Sequence, residues 1–250
     1  MVTAGRPVAW HRARVVEARA ETPRSRRLVL DVPTWPGNDA GSHLDIRLTA
    51  PDGYQASRSY SVGSSGDGTR VVLVVDEVPD GEVSPYLVRG LQLGDELEVH
   101  GPLGRFFVWR PPGAGADPAA LAPVQLIAGG SGVVPLFAMA SAHEAARDAT
   151  ELRLLYSVRS PEDAFFREEI ATFEATRVDW AFTRRAPDGA TRPPGRLTRE
   201  ALAELAVGAE RAPRVFVCGP TAFVEAVAGW LVELGHAPAA IRTERFGGTP

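Results

Sequence analysis

The sequence predicts two domains, an antiparallel β-barrel over residues 1–112 and a doubly wound parallel α/β sheet over residues 124–250. In the first part, short stretches of strand length alternate with turn signals such as APDGY, SSGDGT and PDGE, a pattern typical of a barrel. In the second part, short apolar strands alternate with helical stretches, which indicates a parallel sheet covered on both faces. Residues 113–123 are rich in Pro, Gly and Ala and predict a linker.

Both parts divide into elements at their turn residues and at the changes between strand and helix patterns. Barrel strands are expected at 9–22, 26–33, 43–48, 57–62, 70–78, 95–101 and 105–109, with a brief helix at 84–91. In the second part, strands are expected at 124–130, 152–158, 178–183, 214–219 and 239–246. Helices are expected between them at 134–147, 161–174, 198–206 and 221–235.

The composition is that of a globular protein, with 44% apolar and 23% charged residues among 250. A net charge of −4 argues against nucleic acid as a partner, since nucleic-acid binding normally needs a basic surface. The single cysteine, Cys218, excludes an internal disulfide and an iron–sulfur cluster held by four thiolates of this chain, and no metal site is expected. Without a signal-peptide segment or a run of about eighteen apolar residues, we expect a cytoplasmic protein with no membrane partner, and a monomer.

A glycine-rich segment, LIAGGSGVVPLFAM, contains the end of the first strand of the α/β part. Gly130, Ser131 and Gly132 allow a sharp turn and the close approach of a ligand. Pro135 suits the first turn of the helix that follows, whose free N–H groups favour an anion such as a pyrophosphate. Because the segment lacks the GxGxxG fingerprint, a tight turn without a ligand is the alternative.

Two more segments place candidate residues where an element ends or begins. VFVCGPTAF ends its strand with Cys218, Gly219 and Pro220. Open α/β sheets bind ligands at this carboxyl edge, although a buried cysteine is usually a small apolar filler. GEVSPYL begins the brief helix with Gly81, Val83 and Ser84. It suits a second anion, and the alternative is a capped helix start with Ser84 as N-cap and Pro85 at the first position.

The segment RSYSV combines a cation, a phenol and two hydroxyls in one short strand. The planar guanidinium of Arg58 suits a phosphate, and Tyr60 offers a flat face for a ring system. Ser61 can donate one hydrogen bond. The alternative is an ordinary barrel strand with an exposed arginine and a tyrosine packed on the core.

The ordered set RSYS, GEVSPYL, GPLGRFF, AGGSGVVP, YSVRSPED, CGP and ERFG resembles the ferredoxin–NADP reductase superfamily, in particular its bacterial oxygenase-reductase branch. The resemblance extends over residues 10–247, nearly the whole chain. It implies an FAD-binding barrel followed by a domain that binds a nicotinamide nucleotide.

On this resemblance, Arg58 would hold the flavin phosphate, Tyr60 would pack on the isoalloxazine ring, and Ser61 would hydrogen-bond near its reactive N5. Further flavin contacts are implied at Ser59, Val62, Gly81, Val83 and Ser84. For the adenine of FAD, the aromatic residues of 105–109, Trp109 among them, are a candidate platform. The alternative is that these rings fill the barrel end.

The resemblance also implies how the nicotinamide nucleotide is held. Nucleotide contacts are implied at Gly130, Ser131, Gly132, Pro135, Gly219 and Pro220. Cys218 would sit by the nicotinamide, and Glu244 would make a polar contact at that site. Phe246 would cover the free face of the flavin until the nicotinamide displaces it.

Nucleotide preference depends on the end of the strand expected at 152–158 and on the residues that follow it, in the segment YSVRSPED. Many NAD-specific sites show an acidic residue there, whereas this chain has Ser157 and Arg159. Arg159, with Arg184 and Arg185 after the next strand, could receive a 2′-phosphate, which favours NADPH over NADH. In the alternative, SPED is a helix cap and the arginines are merely exposed.

The implied activity is that of an FAD-dependent oxidoreductase that accepts hydride from NAD(P)H. Many relatives carry a ferredoxin domain with four cluster-binding cysteines, whereas this chain ends at FGGTP with one cysteine. Electrons would therefore pass to a separate acceptor such as a ferredoxin, an oxygenase component or a haem protein. The alternatives are a flavin reductase or diaphorase that releases its flavin, and a non-catalytic nucleotide-binding subunit.

Overall fold

The computed structural model describes residues 7–113, 117, 121–147 and 149–247, and the chain divides into two compact units, residues 1–109 and 110–250. The predicted linker, residues 113–123, lies largely outside the described residues. The first unit is an antiparallel sheet, and the second is a parallel sheet with helices, as the sequence predicts.

The first unit contains six strands in the order β4-β3-β6-β1-β2-β5, and every neighbouring pair is antiparallel. The strands are β1 Ala9–Thr22, β2 Ser25–Asp31, β3 His43–Thr49, β4 Gln55–Ser61, β5 Arg70–Asp76 and β6 Glu96–Leu103. Just beyond β4, the N–H of Gly63 donates to the C=O of Val72 in β5 at 2.8 Å, so the two edge strands meet and the sheet curls into a barrel. Alternate positions point inwards and are fully buried, among them Leu28, Leu44 and Ile46.

One expectation for this unit needs correction. Residues 105–109 are not a strand: the chain bends after Gly104, whose φ is 91°, and only Trp109 forms a bridge, to Ala40. The aromatic composition of RFFVW suits a strand, but strand propensity measures fit to a pleated surface and supplies no partner strand. The brief helix expected at 84–91 is confirmed, and it includes a π-helical turn at Tyr86–Gly90.

The second unit contains five parallel strands in the order β11-β10-β7-β8-β9. The strands are β7 Val124–Gly129, β8 Leu152–Val158, β9 Thr176–Phe182, β10 Arg214–Pro220 and β11 Ile241–Phe246. The helices are α1 Val133–Ala146, α2 Arg167–Ile170, α3 Arg199–Leu205 and α4 Thr221–Glu233, with 3₁₀ turns at Gly130–Gly132, Pro161–Asp163, Ala209–Arg211 and Pro238–Ala240. Among the described residues, no helix is both long and apolar enough to cross a membrane.

Helices cover both faces of this sheet. Residues of α3 and α4 pack with Ile127, Leu155 and Val217, which lie side by side in neighbouring strands and point to one face of the sheet. The intervening positions, such as Leu126 and Phe216, are equally buried, and α1 contacts β7, β8 and β10. The parallel strands therefore end at one common edge, where the loops that follow them gather.

The helix expected over 161–174 is broken, and α2 keeps only four residues. Phe166 has φ 55°, a left-handed conformation that a right-handed helix does not contain, and Phe165 and Phe166 are both buried. Phe166 stacks on Phe137 of α1 with ring centroids 3.8 Å apart, and the hydroxyl of Tyr156 accepts the N–H of Phe165 at 3.1 Å. Tertiary packing overrides the helical signal of the acidic residues in this segment.

Candidate functional site

Strand β4 carries the RSYS segment at an edge of the barrel sheet. Strand alternation puts Arg58 and Tyr60 on one face and Ser59 and Ser61 on the other. Tyr60 lies opposite Leu44 of β3 and packs against the barrel core. Burial raises the pKa of Tyr60 to about 12, so its ring is neutral at physiological pH. It can therefore offer an apolar ring with a neutral hydroxyl to a ligand.

The serine face of β4 holds a second set of polar groups. The Ser59 hydroxyl donates to Asp45 Oδ1 at 2.5 Å, which occupies its donor. Ser61 lies opposite His43, whose pKa is lowered by burial, with a smaller opposing effect of Asp45. The pKa shift favours a neutral imidazole beside Ser61 at neutral pH.

The Arg58 guanidinium binds two oxygen acceptors. Nη1 donates to the Ser57 carbonyl at 2.8 Å, and Nη2 donates to Glu82 Oε2 at 2.5 Å. The other carboxylate oxygen of Glu82 accepts the Tyr54 hydroxyl at 2.6 Å. Arg58 thus holds an anionic oxygen already, which fits the donor that a flavin phosphate requires.

The turn before the π-helix is closed by Val78. Its C=O accepts the N–H of Gly81 at 3.0 Å, and its N–H donates to the Ser84 hydroxyl at 3.1 Å. Pro85 is the N-cap residue of the π-helical turn and no side chain caps it, contrary to the alternative expected from the sequence, and the Ser84 hydroxyl proton is still able to donate. The Val83 side chain is buried in the core, so Val83 can reach a ligand only through its backbone.

Two predicted flavin contacts lie in the interior. Val62 is fully buried in the barrel core, and its N–H donates to the Ser42 carbonyl at 2.9 Å. Trp109 is 2% exposed and cannot offer a ring face as an adenine platform in this structure. Among the aromatic residues of 105–109, Phe107 is also buried, whereas Phe106 is 65% exposed. Phe106 is thus the ring of this segment that a ligand can reach.

In the second unit, the glycine-rich turn lies at the carboxyl edge, between β7 and α1. Gly130 has φ 55° and open space where a Cβ would stand. A Cβ on Gly132 would meet the Cys218 carbonyl and would lie 2.6 Å from the N of Gly219. Gly132 therefore lets the turn pack against the end of β10, which is a structural need that exists without any ligand. Pro135 is in the first turn of α1, as predicted, although the helix begins at residue 133.

The ends of β10 and β11 bring predicted residues together. In their parallel register Cys218 lies opposite Glu244, and Pro220 lies opposite Phe246, which is 37% exposed. Burial raises the pKa of the Cys218 thiol well above its usual range, and the nearby Glu244 charge adds to this effect. Burial also raises the pKa of Glu244 to about 7. The Cys218 thiol is therefore protonated at neutral pH, while the Glu244 carboxyl can gain or lose a proton close to neutral pH.

A cavity of about 700 Å³ lies farther along the same edge, beside the ends of β8 and β9 and the flank of α4. Its lining includes Ser157, Arg159, Thr183, Arg184, Arg196, Phe223 and Trp230 and contains no carboxylate. The loops are joined where the N–H of Arg184 donates to the Arg159 carbonyl at 2.9 Å. Within the described part of the chain, the side chains of Arg159, Arg184 and Arg196 have no carboxylate partner. The cavity is therefore positively charged and has aromatic side chains at its wall.

The neighbouring Arg185 differs from these three arginines. Its guanidinium is bound to the Glu162 carboxylate, and it does not line the cavity. Arg196, in contrast, was missed from the sequence because its loop has no motif. Its position, in the loop after β9 at the carboxyl edge, is the signal that could have found it.

Comparisons with known proteins agree with both units. The family model of the oxidoreductase FAD-binding domain matches residues 13–108, and that of the oxidoreductase NAD-binding domain matches residues 126–229. The ferredoxin–NADP reductase B of Sorangium cellulosum is 33% identical over 72% of this chain and 73% of its own length. The chain belongs to the ferredoxin–NADP reductase superfamily.

Other members of the superfamily are similar over almost the whole chain. The reductase subunit of glycine betaine monooxygenase from Chromohalobacter salexigens is 30% identical over 96% of this chain and 65% of its own length. The crystal structure of the Amycolatopsis cytochrome P450 reductase GcoB has a TM-score of 0.80 and 29% identity, covering 98% of this chain and 73% of that one. The chain spans about half to two thirds of the length of the first curated relatives it matches.

Proposed function

We propose that this protein is an FAD-dependent oxidoreductase that takes hydride from NAD(P)H and delivers electrons to a separate acceptor. The observation that carries the proposal is that one chain joins an FAD-binding and an NAD-binding oxidoreductase domain. The cofactors supply the chemistry when bound, hydride donation by the nicotinamide and stepwise electron delivery by the flavin. The protein's part is to bind and orient them, so no nucleophile or general acid is required.

On the flavin side, the proposal rests on β4 and the turn before the π-helix. Arg58 would bind the flavin phosphate, because it already holds an anionic oxygen. Tyr60 would pack its neutral ring against the flavin, and Ser61 would donate a hydrogen bond to it. Gly81 and Ser84 would contact the pyrophosphate.

On the nucleotide side, the proposal rests on the carboxyl edge of the parallel sheet. The turn Gly130–Gly132 and the start of α1 would hold the phosphates. Cys218 would lie beside the nicotinamide as a neutral, small side chain. Glu244 can exchange a proton near neutral pH, and Phe246 is available to contact a ring.

The positive cavity supports NADPH over NADH. An adenosine 2′-phosphate is the part of NADPH that NADH lacks, and charge-assisted arginine–phosphate bonds are its usual ligands. Arg159, Arg184 and Arg196 converge on one cavity, with Trp230 at its wall for a base. Two of the three predicted arginines, Arg159 and Arg184, thus line the cavity, and Arg196 takes the place of Arg185 in the proposal.

The electron acceptor is proposed from the superfamily. By their names, the Chromohalobacter relative serves a monooxygenase and the Amycolatopsis relative serves a cytochrome P450. An oxygenase component, a haem protein or a ferredoxin is the corresponding class for this chain. We expect the protein in the cytoplasm, where nicotinamide nucleotides are reduced, and as a monomer, which gel filtration with light scattering would test.

A visible absorption spectrum, recorded anaerobically before and after NADPH or NADH, tests the proposal. We expect a flavin spectrum that survives gel filtration and bleaches faster with NADPH. Flavin that is lost on the column but reduced when re-added would indicate a flavin reductase that releases its flavin. Protein that cannot bind FAD at all would refute the proposal and leave a nucleotide-binding subunit.

A further inference from the structure

The Arg58 guanidinium is paired with Glu82, which is not one of the predicted flavin contacts. Glu82 lies in the turn between Gly81 and Val83, and its carboxylate bridges Arg58 and Tyr54 through bonds of 2.5 and 2.6 Å. Tyr54 comes from the hairpin between β3 and β4. The carboxylate is thus held from two sides next to the proposed phosphate ligand.

The bridge changes the charge that a phosphate would meet. Hydrogen bonds from Tyr54 and then Arg58 lower the pKa of Glu82, so its carboxylate is ionised at neutral pH. The Glu82 charge balances the Arg58 charge, and the pair has a net charge close to zero. An anion at Arg58 gains a hydrogen-bond donor there but little net electrostatic attraction.

The two common flavin cofactors differ in how their charge is distributed. The terminal phosphate of FMN is a monoester with a charge of about −1.5 to −2 at neutral pH, because its second pKa is about 6. Each phosphate in the FAD pyrophosphate is a diester with a single negative charge. A fixed carboxylate beside the phosphate ligand therefore costs the concentrated charge of FMN more than the divided charge of FAD.

We propose that Glu82 sets the flavin preference of this protein, disfavouring FMN relative to FAD through its ion pair with Arg58. The inference rests on the proposed function, since it takes Arg58 as the phosphate ligand. Removing the carboxylate charge leaves Arg58 with a full positive charge and increases the attraction of a dianion about twice as much as that of a monoanion.

The test is isothermal titration of flavin-free wild-type protein and the Glu82→Gln variant with FMN and with FAD, at low salt. Glutamine keeps the size of the side chain and one oxygen that can accept from Arg58, its NH2 group can donate to the Tyr54 hydroxyl, and it removes the charge. We expect FMN affinity to rise about 3- to 10-fold more than FAD affinity, with a smaller effect at high salt. Equal changes for the two flavins, or weaker binding of both, would overturn the inference.

The pH dependence of FMN affinity provides a second test, because a merely structural role of Glu82 would leave it the same in wild type and variant. Between pH 5.5 and 7.5 the FMN phosphate gains charge, while the lowered pKa keeps Glu82 ionised throughout. We expect FMN affinity to be nearly constant over this range in the wild type and to rise with pH in the variant. Parallel pH profiles in the two proteins would contradict the assignment.

Glu17→Gln is the matched control. Glu17 forms an exposed pair with Arg19 through a bond of 3.2 Å in the same barrel, and neither residue lines the pocket that includes Glu82 and Tyr54, so the substitution removes the same charge elsewhere. The ratio of FMN to FAD affinity should stay at its wild-type value, and an equal shift in this control would overturn the inference. Wild-type protein that binds neither flavin would refute the proposed function itself, whereas FAD binding with an unshifted ratio would refute the Glu82 inference alone.

Discussion

Replacing Arg184 with alanine should reduce the use of NADPH and leave the use of NADH unchanged. The Arg184 side chain lines the positive cavity and has no carboxylate partner among the described residues, so its removal breaks no ion pair there. Its backbone N–H bond to Arg159 survives the substitution. The predicted loss is therefore confined to a ligand that carries a 2′-phosphate.

The expected loss of NADPH affinity is the contribution of one guanidinium group that forms charge-assisted hydrogen bonds with the 2′-phosphate. Such bonds contribute about 1.5–3 kcal/mol when shielded from water, and less at an exposed site. Arg184 is exposed, so we take about 1–2 kcal/mol, which corresponds to an approximately 5- to 30-fold loss. Two other arginines remain in the cavity, and binding should therefore be weakened and not abolished.

The assay is kcat/KM for NADPH and for NADH with an artificial electron acceptor. Arg185→Ala is the control, because the adjacent arginine is bound to Glu162 and does not line the cavity. We expect Arg185→Ala to stay within about twofold of wild type for both nucleotides. If Arg184→Ala lowered both nucleotides equally, or if the two variants behaved alike, the cavity would not be the 2′-phosphate site.

Three further predictions concern flavin binding, the glycine turn and pH. Arg58→Ala should weaken flavin binding about 10- to 100-fold while far-UV circular dichroism stays unchanged, and normal flavin retention would refute the role of β4. Gly132→Ala should lower the melting temperature far more than Gly130→Ala, because the new Cβ would collide with the backbone of Cys218. Gly130→Ala has open space for its Cβ and costs only about 1–2 kcal/mol of left-handed backbone strain. Equal losses in the two variants would contradict this reasoning. Burial raises the pKa of Glu244 from an ordinary 4.5 to about 7, so the folded state resists ionisation of this carboxyl. The free energy of unfolding is therefore lowered by up to about 3 kcal/mol above pH 7 and is unaffected below pH 4.5. Glu244→Gln should therefore raise the melting temperature increasingly between pH 4.5 and 8, and a pH-independent difference would exclude that pKa.

Much of the fold could be predicted because each signal was local. The strands of the barrel are bounded by turn residues, and the α/β strands are apolar runs followed by helices, so most elements fall within a few residues of their expected positions. The failures at 105–109 and 161–174 share one cause. In both segments aromatic residues are buried by tertiary packing, Trp109 in the first and Phe166 in the second, and packing of that kind leaves no periodic pattern in the sequence.

The candidate site was predictable where a residue is tied to the end of an element. The residues of β4 and those that follow β7 and β10 belong to segments with recognisable order. Arg196 and Glu82 lie in loops without a motif, and their significance comes only from what the fold places beside them. Val62 and Trp109 show the reverse, since residues in the right segment turn out to be buried in the interior.

The arginines show most clearly why a structure was needed. All 27 basic residues of the chain are arginine, so an arginine in a loop says little by itself about function. The structure distinguishes these arginines by their partners. Arg185 forms an ion pair with Glu162, whereas its neighbour Arg184 lines a cavity without carboxylates. Arg58 is intermediate, because it is paired with Glu82 and is nevertheless the proposed phosphate ligand. A flavin phosphate at Arg58 would therefore compete with an anion that the protein itself supplies, whereas a nucleotide phosphate at Arg184 would meet uncompensated positive charge.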